Sequence, residues 1–544
     1  MELKLAVPAL STRVLTEVEL QPAKVAKWLA NLPLLNVAET SRKLFSTLTV
    51  YNRIEIDARE RLALLELYRP TVRDLCAELL RQYVGLPLPL SDRHKSIAEQ
   101  ARQFQAEMAF GYKRIVQHQA AARAATGAPD ARELALPIQR AVRYLTGVHA
   151  MSYQSYSPCP AGTWEEIHAL FRHAEALGAA TVDVPDTLNN SIAHSSVAHA
   201  YKQALLLDLA NPYHLPARQI ERIHHYLDRY ASLAALTPAT TTFDPTCQFL
   251  IDLHGQNAGI VNTGDTALDD PGRYRLLNTV ELARMIHMQW TSLQRGELPP
   301  PDGLEPEFFR DGAQELLFRL ANAWGLHPRR SFRRTSGQEV AVDVVIGIDA
   351  INYWLNGGRR FAVSSSFVGP MPQRTTLGLH EPKVEHEGLR EYDFSTWQVM
   401  DEGAGGQALV KKGLITTRVR VGDIVATRRT SNGGAWEVGI IRWVRSASSS
   451  HAEIGTQRMA PQAEACVVKI VNERNEESDF LPALLLPEVS ALKMPPSLVT
   501  HRGVFRPRRE IYMDSGYRLY KLVITEPVEV TAAYERFRFE VLNA

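Results

Sequence analysis

A chain of 544 residues, 45% hydrophobic and 22% charged with a formal net charge of +1, has the profile of an ordinary globular protein of about two to four domains. The near-zero charge argues against a general nucleic-acid coat, leaving only local basic patches, and arginine heavily outnumbers lysine, so the cations are planar donors suited to phosphate and guanine. No run reaches the roughly 18 apolar residues of a membrane span. The N-terminus lacks a basic stretch leading into a long apolar core. Cys76, Cys159, Cys247 and Cys466 are too scattered for a disulfide framework or a zinc ribbon. A cytoplasmic protein without a membrane span is expected.

From about residue 20 to 325 the apolar residues recur with a helical period. "TVRDLCAELLRQYV" puts Val72, Leu75, Cys76, Leu79, Leu80 and Tyr83 on one stripe, with Arg73, Asp74, Glu78 and Arg81 opposite. "PAKVAKWLANL", "TWEEIHALFRHAEAL", "VAHAYKQALLLDLA" and "QIERIHHYLDRYASLAAL" repeat the pattern between Pro, Gly and Asn breaks. No clean 34-residue repeat runs through them, so an irregular bundle is favoured over a solenoid array. One β-like piece, "CQFLIDLHG", interrupts the helices near 249–255. Residues 1–325 are read as a helical domain.

After Arg334 the period becomes two. "QEVAVDVVIGI", "STWQVM", "ITTRVRVGDIVATRR", "AWEVGIIRWVR", "HAEIGTQRM" and "ACVVKIV" read as short strands, enough for a small antiparallel barrel over 326–475. "FLPALLLP" breaks the alternation, and further strand-like segments come after it, so 476–544 is read as a small C-terminal β unit. A polar, Gly- and Pro-bearing insertion occupies about 357–392 and carries Arg359 and Arg360, for which solvation is the expected role. The fold class is α+β.

Two stretches carry chemistry. Ahead of the first barrel strand, "HPRRSFRRTSG" gathers Arg329, Arg330, Arg333 and Arg334 within six residues. Pro328 and the onset of strand periodicity favour an extended linker. Four like charges this close suit water or an anionic ligand. Guanidinium forks bind phosphate bidentately, meet guanine O6 and N7, and stack on base planes. The second stretch is "QVMDEGAGGQALVKKG", where Gly403, Gly405 and Ala408 match the dinucleotide fingerprint G-x-G-x-x-A. That fingerprint needs a helix after its glycines, and the sequence after Gly406 is strand-like, so the match fails on context. Walker, G-x-S-x-G and H-E-x-x-H motifs are absent from the sequence, and the spacing of His194, His199, His224 and His225 suits helix surfaces better than a metal site. No catalytic residue, metal or cofactor is expected.

Taken together, Arg330-Ser-Phe-Arg-Arg334 and Asp401-Glu-Gly403-Ala-Gly-Gly406 resemble the R-x-x-x-R and D-x-S-x-x-G motifs of PilZ domains, receptors for cyclic di-GMP. "VGDIVATRR…WEVGIIRWVR" also looks like PilZ barrel strands. The resemblance covers roughly 326–471. It implies a PilZ-like barrel in which Arg330 and Arg334, aided by Arg329, grip phosphates and guanine edges, with Arg333 as the substitute if the register slips by one. Asp401 would accept guanine N–H donors, and Gly403 and Gly406 would let the backbone approach the base. The sequence departs from the motif at Gly403, where the family has serine, so one hydroxyl hydrogen bond is missing. The two motifs are also about 70 residues apart, more than a minimal domain needs. The expected protein is a non-enzymatic cyclic di-GMP receptor whose helical region meets a protein partner, by analogy in surface attachment or motility. A ligand-independent scaffold with a degenerate barrel, or a nucleic-acid adaptor using the same arginines, are the alternatives.

Overall fold

The computed structural model describes residues 3–11, 18–127, 130–189, 191–239, 246–262, 268, 270, 272–300, 304, 306–310, 312–325, 335–336, 340–363, 391–430, 434–460, 462–470, 478–488 and 495–542. The chain divides into two units, one of residues 1–86 and 90–329, the other of 87–89 and 330–544.

In the first unit, the helices are α1 (Pro22–Ala30), α2 (Val37–Tyr51), α3 (Ala58–Arg81), α4 (Asp92–Thr126), α5 (Ala131–Gln154), α6 (Thr163–Ala176), α7 (Val197–Leu209), α8 (Ala217–Tyr230), α9 (Val280–Gln294) and α10 (Ala313–Trp324). Their starts are chemically marked. Asp57 accepts the Arg59 and Glu60 amides at 2.9 and 3.3 Å, Ser91 caps α4, and Gly127 closes it in the left-handed conformation. The stripe on α3 buries Val72, Leu75, Cys76 and Leu79 as its spacing predicts. The piece near 249–255 is the strand Gln248–Asp252, one of four short strands in a sheet ordered 235–238, 274–278, 248–252, 260–261. The unit also buries charge. The Asp186 carboxylate lies 2.9 Å from Arg69, 3.4 Å from Arg143 and 3.6 Å from Arg140. Burial works to raise its pKa, and the three guanidiniums outweigh burial and hold it low. No helix among the described residues is long and apolar enough to cross a membrane.

The second unit holds two closed antiparallel six-stranded barrels. The first comprises β1 (Ala341–Ile346), β2 (Ser395–Gly403), β3 (Gly406–Lys412), β4 (Ile424–Arg429), β5 (Glu437–Ser448) and β6 (His451–Ala460). They run in the order β3-β6-β5-β4-β1-β2, and β2 pairs back onto β3. The second comprises β7 (Glu464–Ile470), β8 (Leu481–Leu486), β9 (Ser497–Thr500), β10 (Glu510–Asp514), β11 (Leu519–Val530) and β12 (Glu535–Val541). It closes through β10 pairing with β7. Thus "ACVVKIV", grouped by its sequence with the first barrel, is built into the second.

The helix α11 (Ile348–Leu355) joins the two barrels. Its Ile348, Ile351 and Trp354 pack in one cluster with Val438 and Ile440 of the first barrel and Leu484, Leu486 and Val499 of the second. Within that apolar cluster Asn352 is buried and satisfied, its Nδ2 donating to the carbonyls of Cys466 (2.7 Å) and Ala483 (2.8 Å). A separate cluster, including Cys466, Val468, Ala483, Leu485, Leu498, Ile511, Met513, Leu522 and Phe537, fills the second barrel.

Candidate functional site

Asp401, Gly403 and Gly406 lie among the described residues, whereas Arg329, Arg330, Arg333 and Arg334 lie outside them, as does most of the insertion, 364–390. The described three share one hairpin. The strand β2 ends at Gly403, β3 begins at Gly406, and Ala404–Gly405 make the two-residue turn. The chain leaves the glycines as a strand, which removes the helix a dinucleotide fingerprint requires.

The hairpin contains a bulge. Leu409 pairs with Val399, but its neighbour Ala408 pairs with Asp401, leaving Met400 as the extra residue. Side chains alternate along a strand, so one inserted residue exchanges the faces beyond it. Asp401 therefore shares the face of Ala408, and Glu402 shares the face of Gln407. Gln407 points into the barrel, where its Nε2 donates to Thr427 Oγ1 at 2.7 Å. Asp401 is thus turned outward, and Glu402 is turned into the barrel mouth.

That mouth is a ring of charges. Arg429 Nη2 donates to Glu402 Oε2 at 2.9 Å. Arg458 donates from Nε and Nη2 to Glu437 Oε2 at 3.0 and 2.7 Å, and its Nη2 stands 3.9 Å from Glu402. A small pocket lies beneath, lined by Gln407, Thr427, Glu437, Thr456 and Arg458. Arg458 also holds the turn. Its Nη1 donates to the Ala404 carbonyl and its backbone N–H to the Gly405 carbonyl, both at 2.9 Å. Gly406 is required on the same side. Its φ is +151°, and a Cβ there would stand 2.0 Å from the Thr456 carbonyl oxygen. The close backbone approach expected of this glycine is made to β6.

On the other edge of β2 the upstream linker arrives. Thr335 pairs with Glu402 and Ser336 with Asp401. Farther along that edge Val399 N–H donates to the Val340 carbonyl at 2.9 Å, and β1 continues the pairing. The residue immediately before Thr335 in the chain is Arg334. The D-x-G-x-x-G hairpin therefore has the linker on one flank and Arg458 on the other.

Other residues singled out by sequence take structural parts. Arg360 is exposed and forks onto Glu391 at 2.7 and 2.6 Å. Of the "RPRRE" knot, Arg506 and Arg508 are exposed, and Arg509 donates to the Gly503 and Val504 carbonyls. His199 is buried and His224 half-buried, and this desolvation pushes each imidazole down to about 4, while His194 pairs with Asp183 at 2.8 Å. Among the described residues no group of His, Cys, Asp or Glu is arranged to hold a metal. Arg429, Glu437 and Arg458 were missed by sequence reasoning. Each stands on a different strand, and the pairing of β4, β5 and β6 side by side in the sheet brings them to one mouth.

A six-stranded barrel with this motif at the tip of its β2–β3 hairpin, entered by a linker along β2, has the form of a PilZ-type domain. Comparison with known families gives three matches in series. These are "Cyclic-di-GMP receptor FimW, N-terminal domain" over residues 23–240, "Cyclic-di-GMP receptor FimW, middle PilZ domain" over 368–465, and "FimW C-terminal beta-barrel domain" over 466–542. Together they span more than half of the chain, which belongs to the FimW family of PilZ-domain proteins. The Cyclic-di-GMP receptor FimW of Pseudomonas aeruginosa is 26% identical over 588 aligned residues, covering 99% of this chain and 93% of the relative. No solved structure matches.

Proposed function

We propose that the chain is a non-enzymatic cyclic di-GMP receptor acting in the cytoplasm. Arg329, Arg330 and Arg334, with Arg333 as the register alternative, grip the phosphates and guanine edges. Asp401 takes the guanine N–H donors at the hairpin, and Gly403 and Gly406 line the approach. The pairing of Thr335–Ser336 with Glu402–Asp401 carries this reading, because it delivers the chain directly after the arginines to the one hairpin bearing the second motif. The name of the Pseudomonas relative points to the same ligand. Ligand binding orders the arginine linker along β2, and a segment folding onto a ligand acts as a switch through its differential affinity for the two states. The helical region carries the response to a protein partner, by analogy in surface attachment or motility.

Calorimetric titration of the purified full chain with cyclic di-GMP tests the proposal. Micromolar binding is expected, lost in Arg330→Ala and in Arg334→Ala and retained in Arg506→Ala. Folded protein that gives no heat refutes the receptor reading. It leaves the ligand-independent scaffold, for which the glycine at 403 is the motivating departure. Steep salt dependence on random oligonucleotides marks the nucleic-acid adaptor instead.

A further inference from the structure

In the first unit the buried Arg69, Arg140 and Lys113 each face a carboxylate: Asp186 at 2.9 Å, Glu66 at 3.2 Å and Glu166 at 2.8 Å. Arg61 on α3 and Arg114 on α4 break that rule. They are 2% and 6% exposed, and neither has an ion-pair partner among the described residues. Arg61 donates from Nη1 to the Tyr51 carbonyl (2.5 Å) and from Nη2 to the Ile54 carbonyl (2.9 Å), at the C-terminal end of α2. The dipole of that helix end offsets about half of one cation. Arg114 donates from Nη2 to the Pro8 carbonyl. The Nε of each guanidinium is buried without a partner. Burial pushes Arg61 down to about 10 with Arg114 repelling it further, and burial followed by Arg53 lowers Arg114. Arg53 itself is answered by Glu107 at 3.3 Å. Two neighbouring buried cations, each with an unused donor, are thus left without a counter-charge, which is costly unless an anion completes them.

Residues 3–11 lie over Arg114 as an extended segment that pairs with no strand. Side chains and one carbonyl fasten it. Glu166 Oε1 accepts the Ala6 N–H at 2.6 Å, Gln117 Nε2 donates to the Leu5 carbonyl at 2.9 Å, and the Ser11 N–H donates to the Arg53 carbonyl at 2.7 Å. The segment reads "LKLAVPALS" and contains no acid, so it offers Arg114 a dipole in place of a charge. We propose that Arg61 and Arg114 form a site for a free dianion of the size of phosphate, whose oxygens take the two unused Nε donors and displace the Pro8 carbonyl. Guanidinium forks match a tetrahedral oxyanion, and a doubly charged ion balances two cations. Each phosphodiester of a cyclic dinucleotide carries a single charge, which sets this site apart from the one at the barrel hairpin.

The test melts the full-length protein, without cyclic di-GMP, in phosphate and in chloride at matched ionic strength. Phosphate at about a hundredfold excess over its dissociation constant should raise the melting temperature by about 3–8 °C, and the rise should saturate. A general salt effect keeps growing and acts on every variant alike. Arg114→Met, which removes the charge and keeps the bulk, should lose the saturable rise. Arg114→Lys, which keeps the charge but not the fork, should retain it at about tenfold higher phosphate. Hydrogen exchange in phosphate should slow around residues 58–64 of α3 and 110–118 of α4, and this map decides the matter should Arg114→Met fail to fold. A folded wild type with no saturable rise overturns the site. So does a rise that survives Arg114→Met unchanged, or protection that falls on the barrels instead of on α3 and α4.

Discussion

The two barrels share strand number, closure and one apolar seam, yet they use their surfaces differently. The second barrel fills its interior with Cys466, Val468, Leu485, Leu498, Met513 and Leu522. The first puts Gln407, Thr427 and Thr456 inside one end and ties that mouth with Glu402–Arg429 and Glu437–Arg458. An apolar core favours stability alone, while a satisfied polar network fixes geometry at a cost in burial. The difference marks the second barrel as a support and the first as the barrel in which hairpin shape matters.

Four substitutions sharpen or break this contrast. Leu498→Ala in the fully buried core of the second barrel should cost roughly 3–4 kcal/mol in urea unfolding. Ligand affinity of the folded fraction should be unchanged, and lost affinity would mean that the support also shapes the site. Gly406→Ala should cost roughly 2–3 kcal/mol through the clash with Thr456 and also remove the binding heat. Its counterpart in the second barrel, Gly503→Ala, has a φ of +93° but open space around it. It should cost only about 1 kcal/mol and leave binding alone. Arg458→Ala should cost about 1–2 kcal/mol and speed hydrogen exchange across residues 401–407, because the turn loses its charge-assisted bond.

The smallest effect is a pH dependence. Burial pushes Asp423 up to about 6 from 3.8, against the opposing hydrogen bond from the Arg420 amide (2.7 Å). A carboxyl whose folded pKa is raised holds its proton better in the native state. Stability therefore falls as pH rises from about 4 to about 6 and then levels. Asp423→Asn should be more stable than wild type at pH 7, and the advantage should vanish near pH 4. Thermal scans at the two pH values check the sign.

The helical half and the strand-rich half were legible because period 3.6 and period two are local properties. The Asp401–Gly406 turn was legible because glycines between alternating runs mark a hairpin. "FLPALLLP" resisted reading for a physical reason. Ala483 and Leu485 face the interior of the second barrel while Leu484 and Leu486 face the shared seam, so a strand buried on both sides loses its alternation. Glu464–Ile470 was grouped with the wrong barrel because alternation identifies a strand but never its partner. For the same reason Arg429, Glu437 and Arg458 carried no sequence signal pointing at the hairpin.

Met400 adds nothing to the chemistry of the hairpin, and what it supplies is the local bend and extra twist of a bulge directly before Asp401. Every substitution at 400 keeps the count and leaves Asp401 outward. A single-codon deletion there would join Val399 to Asp401, turning the pairs Val399–Leu409 and Asp401–Ala408 into neighbours of a regular ladder, so the bulge would go and Asp401 would stay outward. The bulge is thus a device of shape, while the face that Asp401 shows is held by its own pairing with Ala408.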